Sequence, residues 1–147
     1  MTLSVGDPVA LVRELIRIDS RNPSLVVDGP GEMAVAAVLQ QTLRDWGLQV
    51  SMQAAAPGRP NVIATVRGSG GGRSLMFNGH MDVVGVDGMT HAPFDAFERD
   101  GRIYGRGASD MKHMVAMSLT VLATLARAGA RPRHDLIFAA VADEELG

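Results

Sequence analysis

The hydrophobic positions of the chain change their spacing several times, and each spacing predicts an element. The first hydrophobic positions have the spacing of one helix face, and they predict a helix that begins at Pro8 with Asp7 as its N-cap. A second helix is predicted over residues 31–46, and Gly47 ends it. The inward positions predicted for these two helices are Val9, Val12, Leu15, Ile16, Met33, Val35, Ala37, Val38 and Leu43.

Four short apolar runs predict strands, and they cover Leu48–Met52, Asn61–Val66, Leu75–Asn78 and Leu136–Val141. The last run is continuous, which is typical of a strand covered on both faces. The glycine-rich residues 68–72 predict a flexible hairpin loop between the second and third strands. A phosphate-binding loop is the alternative, but neither a helix nor the required lysine follows it.

A long apolar stretch over residues 111–128 predicts a third helix that is apolar almost all round and therefore deeply buried. Gly129 is its predicted end. The order helix, helix, three strands, helix, strand indicates an α/β fold in which helices sandwich a mixed sheet. We find no internal repeat or linker that would divide the 147 residues.

Composition narrows the function classes. The net charge is −2 and only 4% of the residues are aromatic, which argues against a nucleic-acid partner. No run of about 18 apolar residues occurs, so we expect no membrane partner. The chain has no cysteine, so imidazole and carboxylate groups must hold any metal, and a cytoplasmic protein is expected.

Polar residues that could carry chemistry follow the predicted strands. His80 and Asp82 come directly after the third strand, and in extended chain their spacing puts both side chains on one face. A metal-binding imidazole commonly donates its second N–H to a carboxylate, so this pair could supply a ligand and its partner. The alternative is a surface loop with two unrelated polar residues.

Two further segments place carboxylates at element ends. Asp110 precedes the long helix, where it is either a metal ligand or the N-cap. Asp143, Glu144 and Glu145 follow the last strand, and three adjacent carboxylates repel one another unless a cation is near. A solvated acidic turn is the alternative for this segment. Together, one histidine and several carboxylates suit zinc, manganese or cobalt and could serve a two-metal hydrolase.

Three motifs in this order resemble the zinc aminoacylase and carboxypeptidase family, which includes acetylornithine deacetylase and succinyl-diaminopimelate desuccinylase. The motifs are His80-Met81-Asp82, the segment from Tyr104 to Lys112, and the segment from Asp143 to Gly147. The resemblance implies a hydrolase that cleaves amide bonds of N-acyl amino acids or short peptides with a metal-activated water. It also implies two divalent ions, zinc with cobalt or manganese as alternatives, and a homodimer for the full-length form.

The resemblance implies a role for each site residue. His80, Asp110 and Glu145 are the expected metal ligands, with His80 on the first ion, Glu145 on the second, and Asp110 bridging both and followed by a cis peptide bond. Asp82 is expected to hydrogen-bond His80, and Glu144 to act as the general base. Adjacent side chains of an extended chain point to opposite faces, which favours different roles for the two glutamates. Which glutamate is the base comes from the resemblance alone.

The chain departs from this family in several respects. His113 stands where the family usually has glycine, and we expect it to be a surface residue or an extra polar group near the metals. The family also uses a further carboxylate, a further histidine and a dimerisation domain, all beyond Gly147. We therefore expect residues 1–147 to be the N-terminal part of a catalytic domain, inactive alone. The alternative is a non-catalytic truncated paralogue that binds a partner or a small molecule.

Overall fold

The computed structural model describes residues 3–70 and 72–146, and its longer elements follow the predicted order. The helices are α1 (Pro8–Arg17), α2 (Met33–Asp45) and α3 (Lys112–Arg127). The strands are β1 (Gln49–Ala56), β2 (Arg59–Val66), β3 (Leu75–His80), β4 (Phe97–Arg99), β5 (Arg102–Tyr104) and β6 (Leu136–Val141). No helix in the described ranges is long and apolar enough to cross a membrane.

The first two helices begin and end close to the predicted residues, but their buried faces differ from the prediction. The Asp7 carboxylate accepts a hydrogen bond from the Ala10 backbone N–H at 2.9 Å, and Gly47 follows α2 with φ 83°. The buried residues instead recur every three or four positions, as on one helix face, beginning at Leu11 in α1 and at Val35 in α2. The missed buried positions are Leu11, Ala36, Leu39 and Thr42, and the wrongly predicted ones are Val9, Met33 and Ala37, which are exposed.

The four longer strands form one mixed sheet in the order β1-β2-β6-β3. β2 pairs antiparallel with β1 and with β6, while β3 pairs parallel with β6. The hairpin predicted over residues 68–72 is therefore wrong, because β6 lies between the two strands that this loop connects. The first two strands form a hairpin instead, and it turns at Pro57-Gly58. Gly71 and Gly147, which belong to two of the predicted segments, lie outside the described residues.

The hydrophobic core of the described residues lies on one face of this sheet. Val62 and Ala64 of β2 are buried, and so are their register partners Ala140 and Phe138 on β6. The residues between them belong to the opposite face, and the core cluster includes none of them. All three helices contribute to that cluster. The mixed α/β class is thus confirmed. The polar segments lie at the end of the sheet where β3 and β6 terminate.

α3 is more exposed than its sequence predicts. Leu119 and Leu122 are buried, but Met117 and Val121 are 51% and 57% exposed. Because the helix packs on the sheet and on α1 with one side only, its other side stays in solvent. The prediction of deep burial all round is therefore wrong, whereas Gly129 does follow the end of the helix, with φ 67°.

The β4-β5 hairpin is too short to show in the hydrophobic pattern, since each strand has three residues. Asp100 and Gly101 connect its strands with φ 53° and 70°, and a type I′ turn requires such a pair of positive values. Phe97 stacks on Tyr104 with ring centroids 5.0 Å apart, and His91 packs edge-on against both rings. His91 is therefore part of a small aromatic cluster.

Candidate metal centre

His80 lies where β3 ends beside its parallel neighbour β6, the kind of sheet end at which sites collect. It is the last residue of β3 and only 3% exposed, so it is not part of a surface loop. Its Nδ1 lies 3.0 Å from the backbone oxygen of Asp82, and its Nε2 lies 3.1 Å from Oδ1 of Asp110. The ring is thus held between two of the predicted site residues.

The surroundings of the ring decide where a neutral His80 carries its proton. A carbonyl oxygen only accepts hydrogen bonds, so Nδ1 donates to Asp82 and Nε2 keeps an open lone pair. That lone pair faces two carboxylates, Asp110 at 3.1 Å and Glu144 at 3.5 Å. Acceptors this close repel one another unless a proton or a cation lies between them. Burial lowers the pKa of His80, but the hydrogen bonds with Asp82 and Asp110 and the negative charges of Asp82 and Glu144 together leave the pKa raised.

The Asp82 carboxylate contacts the acidic segment more closely than it contacts the histidine. Its Oδ1 is 3.6 Å from Nδ1 of His80, so the predicted hydrogen bond to the ring is made by the Asp82 backbone oxygen. The two carboxylate oxygens accept the backbone N–H groups of Glu144 at 3.2 Å and Glu145 at 3.0 Å. The Asn22 side-chain amide donates a third bond at 2.7 Å. Asp82, which is fully buried, thereby joins the end of β3 to the end of β6.

Asp110 ends the loop that leads into α3. The N-cap of this helix is Met111, and no side chain makes a capping hydrogen bond, so Asp110 does not cap the helix. The peptide bond between Asp110 and Met111 is cis, as the resemblance implies. The Asp110 side chain is 75% exposed, and one of its oxygens contacts His80. The carboxylate is therefore open to a ligand from the solvent side.

Lys112, the first residue of α3, holds the start of this helix against the end of α1. Its buried Nζ donates to the backbone oxygens of Leu15 at 2.8 Å and Ile18 at 2.9 Å, at the end of α1. Burial lowers the pKa of this lysine to about 7, and Asp19 opposes the shift. These bonds tie α3 to α1 and hold Asp110, two residues earlier, beside His80.

The residues after β6 have their backbone N–H groups held by side chains from elsewhere in the chain. Four consecutive N–H groups donate in this way: Ala142 to Asn61 at 2.9 Å, Asp143 to Glu32 at 3.2 Å, and Glu144 and Glu145 to Asp82. Side-chain acceptors on all four groups give this segment one defined shape. It is therefore more than a solvated acidic turn.

The three adjacent carboxylates of this segment point to different partners. Asp143 accepts hydrogen bonds from Asn22 at 3.0 Å and Arg59 at 2.6 Å, and these bonds lower its pKa. Glu144 approaches His80. Burial raises the pKa of the Glu145 carboxyl, and the nearby Asp110 raises it further, although His80 opposes the shift. Such a raised pKa marks a crowded carboxylate that a cation would stabilise.

His80, Asp110 and Glu145 each bring one ligand atom to within 4.8 Å of the others. They are the three predicted metal ligands, and they come from β3, the loop before α3 and the segment after β6. His113 is not part of this group; it is partly buried and lines a cavity with Ile103 and Ser109. The arrangement offers one imidazole nitrogen and two carboxylate oxygens to an ion.

The sequence did not predict the residues that hold the acidic segment, namely Asn22, Glu32, Arg59 and Asn61. Each is distant in sequence from the acidic residues it supports. The pair Asn22-Pro23 predicted only a turn. The one available signal was Asp143, a third carboxylate with no predicted role, which implied a positively charged partner somewhere in the fold.

Several enzymes are similar in sequence to nearly the whole chain. N-formyl-4-amino-5-aminomethyl-2-methylpyrimidine deformylase of Halalkalibacterium halodurans is 36% identical over 95% of the chain. Succinyl-diaminopimelate desuccinylase of Gluconacetobacter diazotrophicus is 37% identical over 93% of it. Residues 76–147, which include all of the predicted site residues, match the model of peptidase family M20/M25/M40. Residues 76–147 therefore belong to a domain of this family.

The M20 assignment agrees with the fold. An M20 family metallo-carboxypeptidase from Sulfolobus solfataricus superposes on 95% of the chain with a TM-score of 0.80 at 24% identity. The chain spans about a third of the length of these proteins, 33% and 34% of the two relatives and 31% of the carboxypeptidase.

Proposed function

We propose that this M20 chain contributes the metal centre of a hydrolase that cleaves amide bonds of N-acyl amino acids or short peptides. The observation that carries the proposal is the convergence of His80, Asp110 and Glu145 from three separate segments. The similar proteins include a deformylase and a desuccinylase, and the removal of an acyl group from an amine by water is the reaction we assign to this chain.

The site residues fit a divalent cation on chemical grounds. One imidazole nitrogen and two carboxylate oxygens suit zinc, cobalt or manganese, and we propose zinc. His80 and Asp110 would help to hold such a cation, and its positive charge would offset the repulsion between the Nε2 lone pair and the Asp110 carboxylate. It would also stabilise the charged form of Glu145, whose pKa is otherwise raised.

We propose that the site would hold two ions and that Asp110 would be a ligand of both. Only one oxygen of its exposed carboxylate contacts His80, so the other oxygen is available to a second ion. Catalytic zinc takes about three protein ligands and a water. Three residues are too few to complete two such sites, so the remaining ligands would come from residues outside this chain, and the 147 residues alone would be inactive. The longer form is proposed to be a homodimer.

Glu144 is the proposed general base. When bound, the ions supply Lewis acidity, which lowers the pKa of water and polarises the amide carbonyl. The Glu144 side chain is 58% exposed, so its carboxylate can reach a substrate, while the Glu144 backbone N–H is held by Asp82. It takes a proton from the attacking water and returns that proton to the leaving amine nitrogen. His80 keeps its orientation through the Nδ1–H bond to Asp82.

Cobalt(II) titration, followed by visible absorption, tests the ligand set. Loss of a ligand's hydrogen-bond partner typically weakens metal binding about 10–100-fold, and we expect His80→Ala and Asp110→Ala to exceed that. Glu144→Ala should retain the metal. His91→Ala is the matched control, because it removes an imidazole from the aromatic cluster and should leave cobalt affinity unchanged.

Turnover is measured in a longer form that supplies the remaining ligands. There, Glu144→Ala should abolish amine release from N-acetyl and N-succinyl amino acids while metal content is unchanged. Cobalt binding by His80→Ala and Asp110→Ala as tight as by the wild type would reject the ligand set. A folded chain that binds no metal would instead favour the non-catalytic alternative, a protein that binds a partner or small molecule.

A further inference from the structure

A buried ion pair reaches the acidic segment from outside the proposed metal centre. Glu32, just before α2, is fully buried, and Arg59 at the start of β2 has a side chain that is 11% exposed. The guanidinium donates to both Glu32 oxygens, with Nε 3.0 Å from Oε2 and Nη2 bonded to Oε1. A buried carboxylate is costly without such a partner, so each member of the pair fixes the other.

The pair then holds Asp143 at two points. Nη1 of Arg59 donates to its carboxylate at 2.6 Å, and Oε1 of Glu32 accepts its backbone N–H at 3.2 Å. Asp143 has φ 66°, a left-handed conformation that is uncommon for a residue other than glycine. Such a conformation persists when the surroundings support it, and here the Glu32–Arg59 pair does so.

The two glutamates of the site follow Asp143 directly, so the conformation of Asp143 sets the direction in which they leave the sheet. Its carboxylate is turned to Arg59 and Asn22. Arg59 thereby removes one of three adjacent carboxylates from competition for a cation. It also offsets negative charge beside the ligands, since Asp143 and Glu32 both pair with it.

We propose that Arg59, anchored by Glu32, is a positioning residue of the metal centre, because it holds Asp143 in the conformation that directs Glu145 toward His80 and Asp110. Arg59 acts through Asp143. The inference rests on the ligand set of the proposed function, so its test needs a readout that is independent of metal.

Hydrogen exchange provides that readout. Arg59→Met and Arg59→Lys are compared with Arg67→Met, a matched control at the other end of β2 whose exposed arginine pairs with Asp135 at 2.6 Å. We expect amide exchange of residues 142–146, followed by mass spectrometry without metal, to accelerate about tenfold in Arg59→Met. Arg59→Lys should show a smaller acceleration of at least about threefold, because an ammonium group lacks the planar fork that binds two carboxylates. Arg67→Met should leave the segment unchanged.

Cobalt affinity gives the functional readout on the same variants. We expect Arg59→Met to weaken binding about 10–100-fold, and Arg59→Lys to recover part of the loss. Exchange within α3 reports whether each variant is folded. If Arg59→Met does not fold, Arg59→Lys, which keeps the charge opposite Glu32, carries the test.

Unchanged exchange in residues 142–146 together with unchanged cobalt affinity, in a folded Arg59 variant, would overturn the inference. Faster exchange of the segment with wild-type cobalt affinity would also overturn it, since Arg59 would then support the backbone and not the metal centre. A wild-type chain that binds no cobalt would reject the ligand set itself, and the exchange data would still report whether Arg59 holds the segment.

Discussion

At the scale of single residues, Asp82 connects the two halves of the site. Its oxygens accept two backbone N–H groups and the Asn22 amide while the residue is fully buried. A carboxylate can do this because it is purely an acceptor, with two lone pairs on each oxygen. The same residue fixes the His80 ring through its backbone oxygen, so side chain and backbone serve different partners.

Asp82→Asn tests this arrangement. The amide keeps the size of the side chain but turns one acceptor into a donor, which then faces backbone N–H groups of Glu144 or Glu145. We expect the free energy of unfolding to fall by about 1–3 kcal/mol. Cobalt affinity should fall about 10–100-fold. Asp87→Asn, at an exposed aspartate, is the control for urea unfolding and cobalt titration. Wild-type values for Asp82→Asn in both would contradict the role given to Asp82.

The candidate site residues could be named from the sequence because their motifs are local. His80 and Asp82 are two residues apart, and the acidic residues are adjacent, so residue type and spacing made them candidates, while the resemblance assigned their roles. Glu32 and Arg59 form their contacts across separate elements, and no spacing rule connects them to Asp143. Long-range hydrogen bonds of this kind follow from the packing of α2 against β2.

At the scale of elements, the end of β2 is joined to the start of β6 by Asp135. Its carboxylate accepts the Gly68 backbone N–H at 2.8 Å and an Arg67 guanidinium bond at 2.6 Å. These two bonds hold the pKa of Asp135 below its ordinary value of 3.8. A group with a lowered folded-state pKa contributes stability above its unfolded pKa, and that contribution is lost as the pH falls through the folded one.

Asp135→Asn should therefore be less stable than the wild type near pH 7, and the difference should narrow as the pH falls below 3.8. Urea unfolding midpoints at a series of pH values measure the difference. Asp100→Asn, in the exposed β4-β5 turn, controls for the loss of one carboxylate. A difference between Asp135→Asn and wild type that stays constant with pH would show that the carboxylate charge contributes nothing.

Bounds of helices and strands that depend on local sequence could be predicted, whereas strand pairing could not. The bounds of β6 match the prediction, because a continuous apolar run between polar residues marks both ends. The hairpin at residues 68–72 was wrong because strand order is not local. β6 begins only at Leu136, far along the chain from this loop, yet it pairs with both β2 and β3. Likewise, the exposed side of α3 follows from the single layer on which it packs.

At the scale of the whole molecule, β3 is an edge strand of the described sheet. Leu75, Met76 and Phe77 are 50%, 58% and 45% exposed, an unusual run of large apolar residues at an edge. Unpaired backbone groups beside exposed apolar side chains form a template for another strand.

We expect the 147-residue chain to self-associate through this edge. Sedimentation velocity should show a mass that rises with protein concentration. Met76→Lys places a charge on the edge and should shift the equilibrium toward the monomer. Met117→Lys, on the exposed side of α3, is the matched control and should leave association unchanged. A monomer at all concentrations, with a concentration-independent melting transition, would contradict this prediction.

The central claim is that His80, Asp110 and Glu145 are the metal ligands that this chain supplies. Zinc X-ray absorption of the zinc-loaded chain tests it most directly, because the spectrum distinguishes imidazole from carboxylate ligands. We predict an imidazole contribution from His80, with the remaining ligands oxygen at about 2.0–2.2 Å, and no imidazole contribution in His80→Ala. A zinc spectrum without imidazole in the wild type, or an unchanged imidazole signal in His80→Ala, would contradict the account.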